Sequence, residues 1–263
     1  PMVSWLSICI MILNMILGTV IPVGLMLYLR KKYQLSVMPF GIGCAVMILF
    51  ALVLEQIVHA VFLQSPAGRT VQDNIVLMAV YGGLMAGLFE EGGRFLAMKY
   101  IIQKKHPDPH TALMYGAGHG GVEMFVILVF GMINNVIYSL LLNFGQAELL
   151  LAPLDQTGRA AVQSAFDTLT EASPLLFLAS PAERLFAITG QLALSVIVWF
   201  AAVKKDRWYL LLLAVLLHLI LDAAAVLLAK AGVSLILVEA AVLVIVVFIV
   251  LCARLIWKRE TLS

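Results

Sequence analysis

VSLILVEAAVLVIVVFIVLCARLI, residues 233–256, carries one acid, Glu239, and one base, Arg254, in an otherwise apolar run. A transmembrane helix needs about 20 mostly apolar residues to cross a hydrocarbon core about 30 Å thick. The run is long enough. Working back toward the N-terminus, six further segments also qualify: 3–29, 37–63, 74–101, 111–143, 183–203 and 208–228. The whole chain agrees with its parts. Of 263 residues, 63% are apolar and 12% charged, against roughly half and a quarter in a soluble domain. A water-soluble fold of this length has nowhere to hide so much apolar surface. A soluble enzyme, a nucleic-acid binder and a disordered chain are therefore excluded. The expected fold is all-α, a polytopic helical membrane protein of about seven transmembrane helices.

Lys and Arg in the loops set the orientation. One side carries Arg30, Lys31, Lys32, Lys99, Lys104, Lys105, Lys204, Lys205, Arg207, Arg254, Lys258 and Arg259, and the other only Arg69, Arg159, Arg184 and Lys230. The bias places the N-terminus outside and the C-terminus in the cytoplasm, as an odd number of spans requires. Residues 1–263 read as a single integral membrane domain, with an external loop over 146–182. That loop is expected to be either a short helix on the membrane surface, from its Leu149, Leu150, Leu151, Val162, Phe166 and Leu169, or a plain polar loop. The fourth segment is long for one span, so it must tilt, kink near Gly131 or project from the bilayer. Cys9, Cys44 and Cys252 all lie in apolar runs with no CxxC spacing, which suggests neither disulfides nor a cysteine metal site. Pro1 ahead of Met2 reads as the remnant of a proteolytic cut, and the first apolar run as a retained helix rather than a signal peptide.

Ionisable residues inside a bilayer cost about 2.5–3.5 kcal/mol each on insertion scales, so they are paired or functional. Four pairs occur at i, i+4, each on one helix face: Glu55/His59, Glu90/Arg94, His119/Glu123 and His218/Asp222. Glu91 stands beside Glu90. Counted from the nearest cytoplasmic turn, Glu91, His119 and His218 all lie about 12–17 Å into the membrane. They are expected to meet in one layer, whereas Glu55 and His59 sit nearer the outer surface and are expected to stay out of it. The bland reading of each pair alone is an interhelical contact. Gly92, Gly93, Gly116, Gly118, Gly120 and Gly121 are read as packing residues.

Paired carboxylates with histidines support water activation. One glutamate acts as general base, a histidine holds the attacking water, and a second histidine faces the developing oxyanion. The alternative is a zinc ion held by His119, His218 and Glu90, with Asp222 or Glu123 orienting a ligand histidine. No HExxH and no GxSxG occurs.

These residues resemble a known family. Glu90-Glu91-Gly-Gly-Arg94 looks like the EExxxR motif of the CAAX-protease and bacteriocin-processing superfamily (the Abi or CPBP group, with the PrsW proteases). His119 is similar to its second-motif histidine, and His218-Leu-Ile-Leu-Asp222 to its HxxxN/D third motif. The arginine stands one residue closer than in that pattern, and His-Gly-Gly-Val-Glu replaces FxxxH. Both departures look most like the YhfC branch of intramembrane metalloproteases. The resemblance covers about 75–228, the catalytic-like core. It implies an intramembrane endopeptidase cutting a membrane-bound peptide or protein, in a bacterial cytoplasmic membrane. Glu90 or Glu91 would activate water with His119, Arg94 would anchor the second carboxylate, and His218 with Asp222 would form the oxyanion side. Glu123 has no clear counterpart. A proton-coupled transporter, or a non-catalytic membrane scaffold or immunity protein, would use the same polar cluster differently.

Overall fold

The computed structural model describes residues 2–262; Pro1 lies outside them. Among the described residues every regular element is helical. Seven helices are long and apolar enough to cross a membrane: α1 (Trp5–Tyr33), α2 (Met38–Phe62), α3 (Ile75–Ile102), α4 (Thr111–Asn143), α6 (Pro174–Val203), α7 (Lys205–Lys230) and α8 (Leu235–Leu262). Between α4 and α6 lies a further helix, α5 (Gln156–Glu171). Large apolar side chains such as Val20, Val61, Leu212, Val244 and Phe248 remain exposed, as lipid-facing surfaces do.

Contacts divide the chain into two compact units. The first takes residues up to Val23 together with Glu123–Leu185. Its core gathers Val3, Ile8, Met11, Met132, Leu169 and Phe177. Asn14 Nδ2 donates to the Phe177 carbonyl at 2.7 Å, and Asn143 exchanges two hydrogen bonds with the Val3 backbone at 2.8 and 2.9 Å. The polar stretch expected as a loop is largely helical. Asp155 caps α5, which buries Phe166 and Leu169, so of the two readings of 146–182 the helical one is found.

The last element of that stretch needs a correction. α6 begins at Pro174, not near residue 183, and carries Pro181 inside it. Arg184 counts among the outer loop charges in the sequence, but it lies within the helix, bonded to Glu183 and also to Glu123, the latter at 2.7 Å. The paired charges let the helix continue through them. The long α4 holds a π-helical turn at Val126–Phe130, directly before Gly131, where a kink was one of three expected solutions.

The second unit takes Gly24–Val122 and residues from Phe186 onward. Its core is built on Tyr115, Leu194, Ile197, Trp199, Phe200, Leu217 and Ile249. Close helix crossings bring its polar residues together. α7 lies hard against α3: a Cβ on Gly83 would stand 2.8 Å from the Leu219 carbonyl oxygen, and one on Gly87 2.9 Å from that of Val215. α2 crosses α4 in the same way, with a Cβ on Gly43 only 2.3 Å from the Tyr115 carbonyl oxygen and 2.9 Å from His119 N. Small residues at such crossings are how membrane helices approach when water supplies no driving force.

Candidate active site

Residues of the second unit on four helices supply the cluster: α3 gives Glu90, Glu91 and Arg94, α4 gives His119, α6 gives Gln191, and α7 gives His218 and Asp222. The two glutamates close a π-helical turn, Gly87–Glu91. A π turn bonds i to i+5 and inserts an extra residue into the helix, a device frequent at functional sites. Both consecutive carboxylates are buried there, along with Arg94.

Glu90 is the centre. Its Oε2 accepts from His119 Nε2 at 2.9 Å and from Gln191 Nε2 at 2.9 Å, and stands 3.9 Å from His218 Nε2. Glu91 is held on two sides. Arg94 Nη1 donates to its Oε2 at 2.9 Å, and His218 Nδ1 meets its Oε1 at 2.7 Å. Arg94 also donates to Gln191 Oε1 through Nη2. Asp222 Oδ2 lies 3.5 Å from His218 Nε2, and the Asp222 side chain is 39% exposed whereas those of Glu91, Arg94 and His119 are fully covered. The buried charges thus partner one another, as an apolar interior demands. His119 spends its Nε2 on Glu90, and its Nδ1 is buried without a hydrogen-bond partner. A ring donating Nε2–H to the carboxylate leaves only a lone pair on Nδ1; the tautomer is inferred from that network.

Sequence spacing matched the cluster in part. Glu90, Glu91, Arg94, His119, His218 and Asp222 all meet. The i, i+4 pairing of Glu90 with Arg94 does not occur: the arginine takes Glu91 at i, i+3, and Glu90 is served from α4 and α6. Glu123 belongs to the first unit, where it accepts from Arg184. Glu55 and His59, expected to stay apart, line a cleft together with Asp222, so they adjoin the cluster. Gln191 escaped the spacing pattern. Its signal was an amide in the middle of the apolar run 183–203, weaker than a charge because an amide costs less to bury.

Among the described residues no three His, Cys, Asp or Glu side chains are arranged to hold a metal ion. The donors are turned toward one another: Glu90 toward His119 and Gln191, Glu91 toward Arg94 and His218.

The model of a family described as YhfC intramembrane metalloprotease matches residues 17–244. The chain belongs to the YhfC family. A Bacillus subtilis (strain 168) protein described as the uncharacterized membrane protein YhfC is 33% identical over 227 residues, covering 86% of each chain. Seven candidate spans and this relative agree that the protein is an integral membrane protein. No solved structure matches it. The three motifs all fall inside the YhfC match.

Proposed function

We propose that this YhfC-family protein is an intramembrane endopeptidase that cuts a membrane-bound peptide or protein, with Glu90 as the base that activates water. The carrying observation is a buried carboxylate clamped through one oxygen by His119 and Gln191, with a second histidine 3.9 Å away.

Both hydrogen bonds to Glu90 fall on Oε2, so Oε1 is the oxygen available to a water. Glu90 takes a proton from that water as its oxygen attacks the carbonyl carbon of the peptide bond. His218 donates Nε2–H to the oxyanion that forms. Its orientation is fixed at the other nitrogen by Glu91, itself neutralised by Arg94. The tetrahedral intermediate then collapses. The C–N bond breaks, the proton held by Glu90 passes to the leaving nitrogen, and a carboxylic acid and an amine depart, the acid then giving its proton to the amine. Asp222 at the exposed edge marks the side from which substrate enters.

The family's name carries a metal. The residues here do not fit one as arranged, since His119 and Glu90 are hydrogen-bonded to each other, His218 is held by Glu91, and a buried arginine stands among them. No step is routed through a metal.

Orientation with the N-terminus outside follows from the charge bias, and single-cysteine labelling at Ser4 from one face of the membrane tests it. The test of the function is turnover: wild type in liposomes with a library of membrane-inserted peptides, read by mass spectrometry. One or more peptides are cut by wild type and spared by Glu90→Gln and His218→Ala. Wild-type rates in both variants would overturn the assignment.

A further inference from the structure

Between α2, α3 and α7 lies a cleft of about 410 Å³. Glu55 and His59 line it from α2 and Asp222 from α7; Ala79, Gly82, Gly83, Ala86 and Ala225 make most of the remaining wall, with Met78 and Val226 as its larger apolar members. We propose that this cleft is the subsite that receives a lysine or arginine side chain of the peptide cut at Glu90. The proposal rests on the hydrolase reading above.

Three observations carry it. First, two carboxylates line the cleft and no lysine or arginine does. Glu55 is only 6% exposed, in a segment where an uncompensated carboxylate is expensive. His59 does not need to supply the missing charge. Its Nε2 meets Glu55 Oε1 at 3.1 Å and its Nδ1 the Tyr81 hydroxyl at 2.8 Å, a pattern that a neutral ring satisfies by donating to Glu55 and accepting from Tyr81. Arg94, the buried cation nearest in sequence to the site, is tied to Glu91 and Gln191.

Second, the walls suit the occupant. Alanine and glycine along α3 leave room for a long unbranched stem while the head reaches the carboxylates. A Cβ built on Gly82 meets nothing within 4 Å, so the space there is open. Third, the cleft is continuous with the chemistry: Asp222 lines it and also stands 3.5 Å from the ring of His218. A cationic head between Glu55 and Asp222 would fix the register of the peptide relative to Glu90.

The test uses full-length protein in nanodiscs with Glu90→Gln, which holds substrate without cutting it. The probes are fluorescent hydrophobic peptides that differ at one scanned position: lysine, norleucine or glutamate. At the position that docks, lysine binds roughly tenfold or more tightly than norleucine, the scale of one charge-assisted hydrogen bond. Adding Glu55→Gln shrinks that ratio to about twofold or less. Should that variant fail to fold, Gly82→Met serves instead: it fills the cleft, keeps both carboxylates, and abolishes the preference. Equal binding of lysine and norleucine peptides at every position, or a preference that survives both changes, overturns the proposal and leaves the cleft as a water path. Wild-type turnover on the same peptides separates the two readings. Lysine-selective binding without any cleavage refutes the hydrolase and keeps the cleft. Cleavage with no selectivity keeps the hydrolase and refutes the cleft.

Discussion

Replacing Arg94 by methionine tests whether the cluster is an electrostatic unit. Arg94 is fully buried, donates to Glu91 at 2.9 Å, and also holds Gln191. Methionine fills much of the same space, so the loss is chiefly one of charge. It leaves Glu91 with His218 alone and removes the Arg94 hydrogen bond to Gln191. Removing one partner of a buried ion pair costs about 3–5 kcal/mol, because the remaining charge is stranded. With about 2–4 °C per kcal/mol for a chain of this size, the apparent Tm falls by roughly 6–20 °C. The assay is thermal unfolding in detergent, followed by tryptophan fluorescence. The decisive comparison is the double variant Arg94→Met/Glu91→Gln. It removes the stranded charge, while the amide oxygen introduced in place of the Glu91 carboxylate can still accept from His218, so it regains at least half of the lost Tm. Neighbouring residues in one network should show such non-additivity. A single variant within about 1 °C of wild type, or a double variant less stable than the single, would refute the reasoning about Glu91 and Arg94.

Gly43→Ala drives a Cβ to 2.3 Å from the Tyr115 carbonyl and displaces the helix bearing His119. It costs roughly 1–3 kcal/mol in stability and lowers turnover, whereas Gly41→Ala, with nothing within 4 Å of its Cβ, leaves both unchanged. Gln191→Leu frees Glu90 from one of its two clamps and lowers kcat about tenfold or more with little change in KM, while Gln191→Glu, which sets a second carboxylate against Glu90, lowers it further. Turnover by purified protein survives strong zinc chelators, and elemental analysis finds less than one zinc per chain; loss of activity on chelation, restored by zinc, would return His119, His218 and Glu90 to the role of ligands.

The seven spans were readable because a bilayer imposes length and apolarity directly on sequence. Glu90, Glu91, His119, His218 and Asp222 were readable because charge inside an apolar run is expensive, and matching depth on three helices selected them. What escaped had a physical cause in each case. Pro181 and Arg184 look like loop residues until Arg184 finds Glu123 on another helix, a contact no local pattern announces. The π turn at Gly87–Glu91 changes register without changing composition, so the i, i+4 spacing pairs the arginine with Glu90 and the resemblance leaves open which glutamate it anchors, whereas it takes Glu91. Glu55 and His59 were set apart by counting along a straight helix, yet α2 runs through a π-helical segment over Met47–Glu55, and the pair lines a cleft with Asp222. Gln191 carries no charge, so only its contacts with Arg94 and Glu90 reveal it.

The most direct test of the central claim is cleavage in H₂¹⁸O. Wild type and Glu90→Gln are placed in liposomes with a peptide that the wild type cuts, and the fragments are weighed. The account predicts one ¹⁸O in each new C-terminal carboxylate with wild type, and no fragments above background with Glu90→Gln at equal folded protein. Fragments formed by Glu90→Gln at the wild-type rate would contradict it.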